Sequence, residues 1–362
     1  MQKQLNVRQL CLFCIAFLPL TKLFIMPSIL ASNVKGDLWL SALINIAIDF
    51  FAITVYLVAT KNVELSFIEM MEDAFGKTTT KIICFIYALF FAFRSILPVL
   101  EQKDYIDYTL YFSMPSLIYF LPFFVSAFYL SMKKLRVLGR LSDVLFTFTI
   151  VGYVLLLALS LGNTDLTEIL PIGNSGILNI LDSSRQSITW FGDCIYFLFF
   201  IGNFKKEKGY LVKILLSFLL SGVMVVIFLI VFYGIFSSIA FRQRFALTEI
   251  AKYTSVISDT GRFDYLAIIS LLFSFIVSSS LPLFFASKLI NYVFTFKVKF
   301  ISPLIVCLVP LITIVFLYQQ FYSIENFIIN FTIIPFTVLS LVFPIVFLIC
   351  VNRRFKNEVL NT

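Results

Sequence analysis

The sequence predicts an all-α polytopic membrane protein of about ten transmembrane helices, arranged as two five-helix repeats of opposite orientation whose first helices are broken. Three observations predict it. Apolar runs of membrane-crossing length recur along the whole chain, Lys and Arg alternate between rich and poor loops, and irregularities in one half reappear in register in the other. With 60% hydrophobic and only 13% charged residues and a mean hydropathy of +0.99, the chain carries more apolar surface than a water-soluble domain can hide. Lipid must solvate most of it.

A hydrocarbon core roughly 30 Å thick demands about 20 apolar residues of each crossing helix. Ten such stretches can be read, at about 9–31, 38–60, 80–110, 114–132, 141–162, 186–204, 210–239, 263–292, 301–320 and 328–351. The first is a retained helix rather than a cleavable leader, because Pro19, Lys22 and Pro27 interrupt it and no small-residue cleavage site precedes a polar mature domain. Basic residues crowd one set of alternate loops: Lys3 and Arg8; Lys61, Lys77 and Lys81; Lys133, Lys134, Arg136 and Arg140; Lys205, Lys206, Lys208 and Lys213; Lys288, Lys297 and Lys299; and Arg353, Arg354 and Lys356. The opposite set holds Lys35, Lys103, Arg185, Arg242, Arg244, Lys252 and Arg262. The positive-inside rule therefore places the rich loops and both termini in the cytoplasm.

Composition also narrows the chemistry. With no His, the Ser-His-Asp, Cys-His and His-zinc chemistries are excluded together, and no cluster of acids or metal ligands suggests an enzyme, a resident metal or a cofactor. The six cysteines lie in or beside apolar runs and read as small hydrophobes, including the C-x-x-C of Cys11 and Cys14. The net charge of +8 is spread over short loops, so lipid and not nucleic acid is the expected macromolecular surroundings.

Split five and five, the spans form a single transmembrane domain: a first repeat over 1–162, an external connection over 163–185 and a second repeat over 186–351. Pro19 and Pro27 punctuate the first helix of one half, Gly192 and Gly202 that of the other. The connection after each second helix is long, at 61–79 and 240–262, with an amphipathic pattern that sets Phe67, Ile68, Met71, Ala74 and Phe75 against Glu69, Glu72 and Asp73. The third helix of each half is also long. Because five is odd, the halves enter the membrane in opposite senses, which is the LeuT-like inverted repeat with broken helices 1 and 6.

Lys22, Asp49, Arg94 and Asp193 fall inside these spans, and each costs about 2.5–3.5 kcal/mol if left facing lipid. They must face the interior. Two cations and two anions favour internal pairs such as Lys22 with Asp193 or Asp49 with Arg94, and the sequence leaves the partners open. A broken helix offers N–H groups to a carboxylate and carbonyls to a cation. The run from Ser187 to Asp193, with Thr189, Phe191 and Gly192, suits a small zwitterion, and Thr21 stands beside Lys22 on the other broken helix. These eight residues, Thr21, Lys22, Asp49, Arg94, Thr189, Phe191, Gly192 and Asp193, form the expected ligand or coupling site. Asp143 reads as an N-terminal carboxylate of helix 5, favourable to the helix dipole.

Several of these segments carry a resemblance. Phe191-Gly192-Asp193 is similar to an F-G-E at the helix 6 break, and Gly139-Arg140-Leu141-Ser142-Asp143 to a compressed G-x-x-R-x-S-E/D before helix 5. Ala74-Phe75-Gly76-Lys77 is similar to an L-G-K, and Gly261-Arg262-Phe263-Asp264 to an R-I/F-D/E before helix 8. In this order they resemble the B subunits of spore germinant receptors, the GerAB-type germination permeases of the amino acid-polyamine-organocation superfamily. The resemblance implies a subunit that binds a small amino acid-like germinant at the midplane and signals germination. It also implies A-type and C-type partner subunits and the inner membrane of a bacterial spore. A proton-coupled secondary amino acid transporter is the alternative on the same fold. The chain departs from the family where a G-x-G precedes the helix 1 proline and Leu20-Thr21-Lys22 stands instead. Glycines there would expose N–H groups to a ligand carboxylate. Lys22 either replaces those donors, fills the pocket or stands in for a coupling cation.

Overall fold

The computed structural model describes residues 5–101, 115–252 and 264–360, and among them the chain is helical apart from turns and one isolated bridge between Leu5 and Phe204. Lys3, Lys103, Arg262 and the first three residues of the Gly261–Asp264 motif lie outside the described residues, as does the end of the expected third span.

The first crossing is two half-helices, α1 (Val7–Phe17) and α2 (Met26–Val34), separated by a 3₁₀ turn over Leu20–Lys22. Pro27 sits in the first turn of α2, where its missing N–H costs nothing. Next come α3 (Leu38–Ala59), α4 (Phe67–Arg94), α5 (Ser116–Met132) and α6 (Leu135–Ser160). The sixth crossing is again split, into α7 (Ile177–Ser187) and α8 (Cys194–Phe200). The second half continues with α9 (Tyr210–Phe236), a short buried helix α10 (Ala246–Lys252), α11 (Asp264–Phe294) and α12 (Ile301–Leu317). The last crossing follows α13 (Phe321–Phe331) and runs through α14 (Ile333–Thr337), a π turn over Val338–Val342 and α15 (Phe343–Leu360). Six stretches are individually long and apolar enough to cross a membrane, with shorter apolar helices at Phe120–Met132 and Ile301–Phe316. Those two shorter helices and the two broken crossings, neither of which is continuous, account for the difference from ten.

The neighbours obey the pseudo-two-fold. α1 packs on α6 of its own half and on α9, the second helix of the other; the sixth crossing packs on the last crossing of its own half and on α3. The symmetry-related pairs α3 with α9 and α4 with α11 meet directly.

Four expectations are corrected. The sixth crossing begins at Ile177, within the segment read as an external connection. Its Asn, Asp, Ser, Arg and Gln residues disguised it, yet its inner face buries Ile180 and is held against α3 by hydrogen bonds: Ser41 donates to the Ile180 carbonyl at 3.1 Å and Asn45 to the Ser184 carbonyl at 2.9 Å. The amphipathic segment is continuous with the third crossing, bending at Gly76 with φ +78°; its buried face is Phe67, Met70 and Met71, whereas Ala74 and Phe75 are exposed because they lie at the bend. Gly202 follows α8 rather than breaking it, and its φ of +79° brings the backbone so close to Ser66 that a Cβ would lie 2.6 Å from that residue's Cα. Asp143 lies in the third turn of α6, where it accepts from Arg8 at 3.0 Å and Gln9 at 3.2 Å, an interhelical clamp and not a dipole partner.

The basic loops do more than mark topology. Lys206 donates to the Thr60 and Val63 carbonyls, both at 2.5 Å, beyond the end of α3, and Lys288 to the Ser131 and Lys133 carbonyls at 3.0 and 2.6 Å at the end of α5. Each ammonium serves carbonyls that a helix terminus leaves without intrahelical partners.

Candidate functional site

The site is built where the two broken crossings pass each other. At Phe191-Gly192-Asp193 the sixth crossing loses its helical bonding, and Gly192 adopts φ +74°, a conformation that favours glycine. A Cβ there would also stand 3.3 Å from Arg94 Nη1 and 3.4 Å from Ser340 Oγ. The freed backbone groups are taken by charges. The N–H groups of Gly192 and Asp193 donate to Asp49 Oδ2 at 2.9 and 3.1 Å. Arg94 donates to the Phe191 carbonyl at 2.8 Å and the Gly192 carbonyl at 3.1 Å.

Asp193 then joins the crossings. Its Oδ2 accepts from Lys22 at 2.5 Å and its Oδ1 from Arg94 at 2.8 Å, all three side chains being buried. Lys22 also donates to the Leu18 carbonyl at 2.6 Å and lies 5.2 Å from the centre of the Phe191 ring. The Lys22–Asp193 pair is one of the two the sequence offered. Arg94 pairs with Asp193 and not with Asp49, because Asp49 is committed to backbone donors.

Thr21 and Thr189 line a cavity of ≈ 30 Å³ beside this cluster, together with Arg94, Asp193, Trp190 and Tyr196. That is room for about two water molecules. Thr189 is buried, and its hydroxyl has no hydrogen-bond partner among the described residues. The expected site residues thus converge: six form the charge cluster or its backbone, and Thr21 and Thr189 line the adjoining space.

Toward the face that carries the N-terminus, a layer of rings closes the cavity. Tyr196 lines the cavity and lies 5.5 Å, centroid to centroid, from Phe285; Phe91 packs against both. Beyond Phe285 and Phe199 opens a larger pocket of ≈ 280 Å³, bordered by Lys134, Asn203 and Lys288. On the opposite face, α10 is buried over the crossings, and Arg244 next to it reaches Glu325 of α13 at 3.5 Å.

Residues 4–328 match the family described as Spore germination protein. The chain belongs to that family. Spore germination protein KB of Bacillus subtilis (strain 168) is 23% identical over 287 residues, covering 78% of this chain and 76% of that protein. Among solved structures, two mutant forms of the manganese transporter of Eremococcus coleocola superpose with a TM-score of 0.60 at 16% and 15% identity, covering 95% of this chain and 78% of the transporter. The likeness establishes the LeuT-like fold. Among the described residues, no three His, Cys, Asp or Glu side chains gather into a possible metal site.

For this family member, sequence reasoning missed the last crossing's share in the site. The π turn frees carbonyls at Leu339 and Ser340, which accept from Tyr87 at 2.9 Å and from Tyr56 respectively. Such π turns occur often at functional sites, but nothing in the apolar run around Ser340 announces one. It also missed the hydroxyls that serve the first break, Thr149 and Ser278; the run Ser278-Ser279-Ser280 within span 8 was the available signal.

Proposed function

We propose that this protein is the membrane subunit of a nutrient germinant receptor, binding a small nutrient in the midplane cavity beside Asp193 and passing a conformational signal through the two broken crossings. Family membership and the transporter-like fold support a receptor subunit or permease. One observation favours sensing over transport coupled to a free metal cation. Lys22, a cation tethered to the chain, bridges the first break at the Leu18 carbonyl to Asp193 of the second. A transported metal cation must leave with its substrate, whereas a tethered ammonium stays; the uptake assay with a proton gradient decides on proton coupling. On this reading the N-terminal face is cytoplasmic, the membrane is the inner membrane of the spore, and A-type and C-type subunits receive the signal.

Liposomes containing the purified protein, given pooled radiolabelled amino acids and small uncharged solutes with and without an inward proton gradient, test the choice. Binding without gradient-driven accumulation is the expected result. Accumulation above empty liposomes overturns it in favour of a proton-coupled secondary transporter. Lys22→Ala and Asp193→Asn are expected to impair the ligand response of protein that still inserts into the membrane; a normal response from both removes the cluster from the mechanism.

A further inference from the structure

The geometry points to an uncharged, hydrogen-bonding solute, and not a zwitterionic amino acid, as the occupant of the midplane cavity. This inference rests on the cavity being the ligand site, as proposed above, and narrows what enters it.

A zwitterion between two broken helices needs free donors for its carboxylate and free acceptors for its ammonium. At the sixth-crossing break and at Leu18 this chain has committed its own. The N–H groups of Gly192 and Asp193 hold Asp49, where a ligand carboxylate would otherwise dock. The carbonyls of Phe191 and Gly192 hold Arg94, and that of Leu18 holds Lys22, so an incoming ammonium finds them occupied. Asp193 is shared between Lys22 and Arg94. The Arg94 guanidinium also lies 5.4 Å from the ring centres of Tyr196 and of Phe336. To bind, a zwitterion must break one of these pairs and leave a buried charge without its partner, which costs more than the replacement contacts return.

Beyond Arg94 and Asp193, which are already paired, what the cavity offers is neutral. The Thr189 hydroxyl is buried, without a partner among the described residues and beside the space, and Thr21, Ser278 and Ser279 border it. A buried hydroxyl without a partner carries a desolvation penalty that a ligand hydroxyl or carboxamide relieves. At ≈ 30 Å³ the cavity admits only a few atoms before its walls move.

The test uses isosteres that differ in charge. Glycine and L-alanine are compared with glycolamide and L-lactamide, in which hydroxyl and carboxamide replace ammonium and carboxylate, by calorimetric titration of the purified full-length protein. The amides are expected to bind and the amino acids not to compete with them. Thr189→Val is expected to weaken amide binding by roughly 2- to 10-fold, the worth of one hydrogen bond, and Thr189→Ser to restore it. Amino acid binding that competes with an amide, or that Thr189→Val weakens, overturns the inference and leaves the midplane site standing. Binding of neither class overturns both, and amide binding indifferent to Thr189→Val places the ligand outside this cavity and overturns the assignment.

Discussion

The two broken crossings meet the same physical demand by different means. In a membrane, backbone groups released by a break must find partners inside the protein. At the sixth crossing the break is short and its partners are full charges: Asp49 takes two N–H groups and Arg94 takes two carbonyls. At the first crossing the break is longer, contains no glycine and is served largely by neutral groups. Thr149 donates to the Ala16 carbonyl at 3.1 Å, Ser278 to the Phe17 carbonyl at 2.8 Å, and the Ala246 N–H to the Phe24 carbonyl at 3.0 Å. The residues in between close 3₁₀-type bonds, with Lys22 N–H on Pro19 and Leu23 N–H on Leu20. A break held by two charges is rigid, because moving either charge strands it in low dielectric. A break held by separate hydroxyls can yield one bond at a time, so the first crossing is the part suited to move when a ligand arrives.

The largest effect is expected where the breaks are joined. Asp193→Asn leaves Lys22 and Arg94 buried against a neutral amide, and loss of one partner of a buried ion pair costs about 3–5 kcal/mol. Denaturant unfolding of the purified protein in detergent reads that loss. A cost below about 1 kcal/mol would put the cluster in contact with water and dissolve the contrast between charged and neutral breaks.

A smaller cost is expected at Gly192. An alanine there must hold φ near +74° and place its Cβ 3.3 Å from Arg94 Nη1, a strain on the order of 1–3 kcal/mol. At the first break Leu23 and Ile25 have φ of −99° and −87°, which any residue adopts, so Thr21→Ala is expected to change stability by less than about 0.5 kcal/mol. Equal penalties at the two positions, measured in the same unfolding assay, would contradict the assignment of rigidity to the sixth crossing alone.

The legibility of these features follows their physics. Composition records where lipid must be, so the crossings could be read, and Pro19, Pro27 and Gly192 marked the breaks in the first helix of each half. Intramembrane charges are costly enough to stand out, and Lys22, Asp49, Arg94 and Asp193 do converge. What stayed hidden was whatever folding satisfies locally with neutral groups. The polar face of α7 looked like a loop because Ser41 and Asn45 on a different helix satisfy it. The partner choice of Arg94 depended on Asp49 being engaged by backbone N–H groups, which no residue type encodes. The π turn at Val338–Val342 depends on Tyr56 and Tyr87 reaching carbonyls that an apolar sequence does not mark.

A modest expected effect bears most directly on motion. Ser278→Ala removes the donor to the Phe17 carbonyl, and Thr149→Val the donor to the Ala16 carbonyl; each is expected to cost about 0.5–1.5 kcal/mol. The two hydroxyls touch different carbonyls and different neighbours, since Thr149 also bonds Ser274 at 2.8 Å. Their costs should therefore add to within about 0.5 kcal/mol. Additivity is what separately breakable bonds predict, and hydrogen exchange should show the loosening confined to the backbone around Leu18–Ile25 with the sixth crossing still protected. If exchange instead rises equally at Phe191–Asp193, the two breaks open as one unit through the Lys22–Asp193 link, and the first crossing has no independent motion with which to answer a ligand.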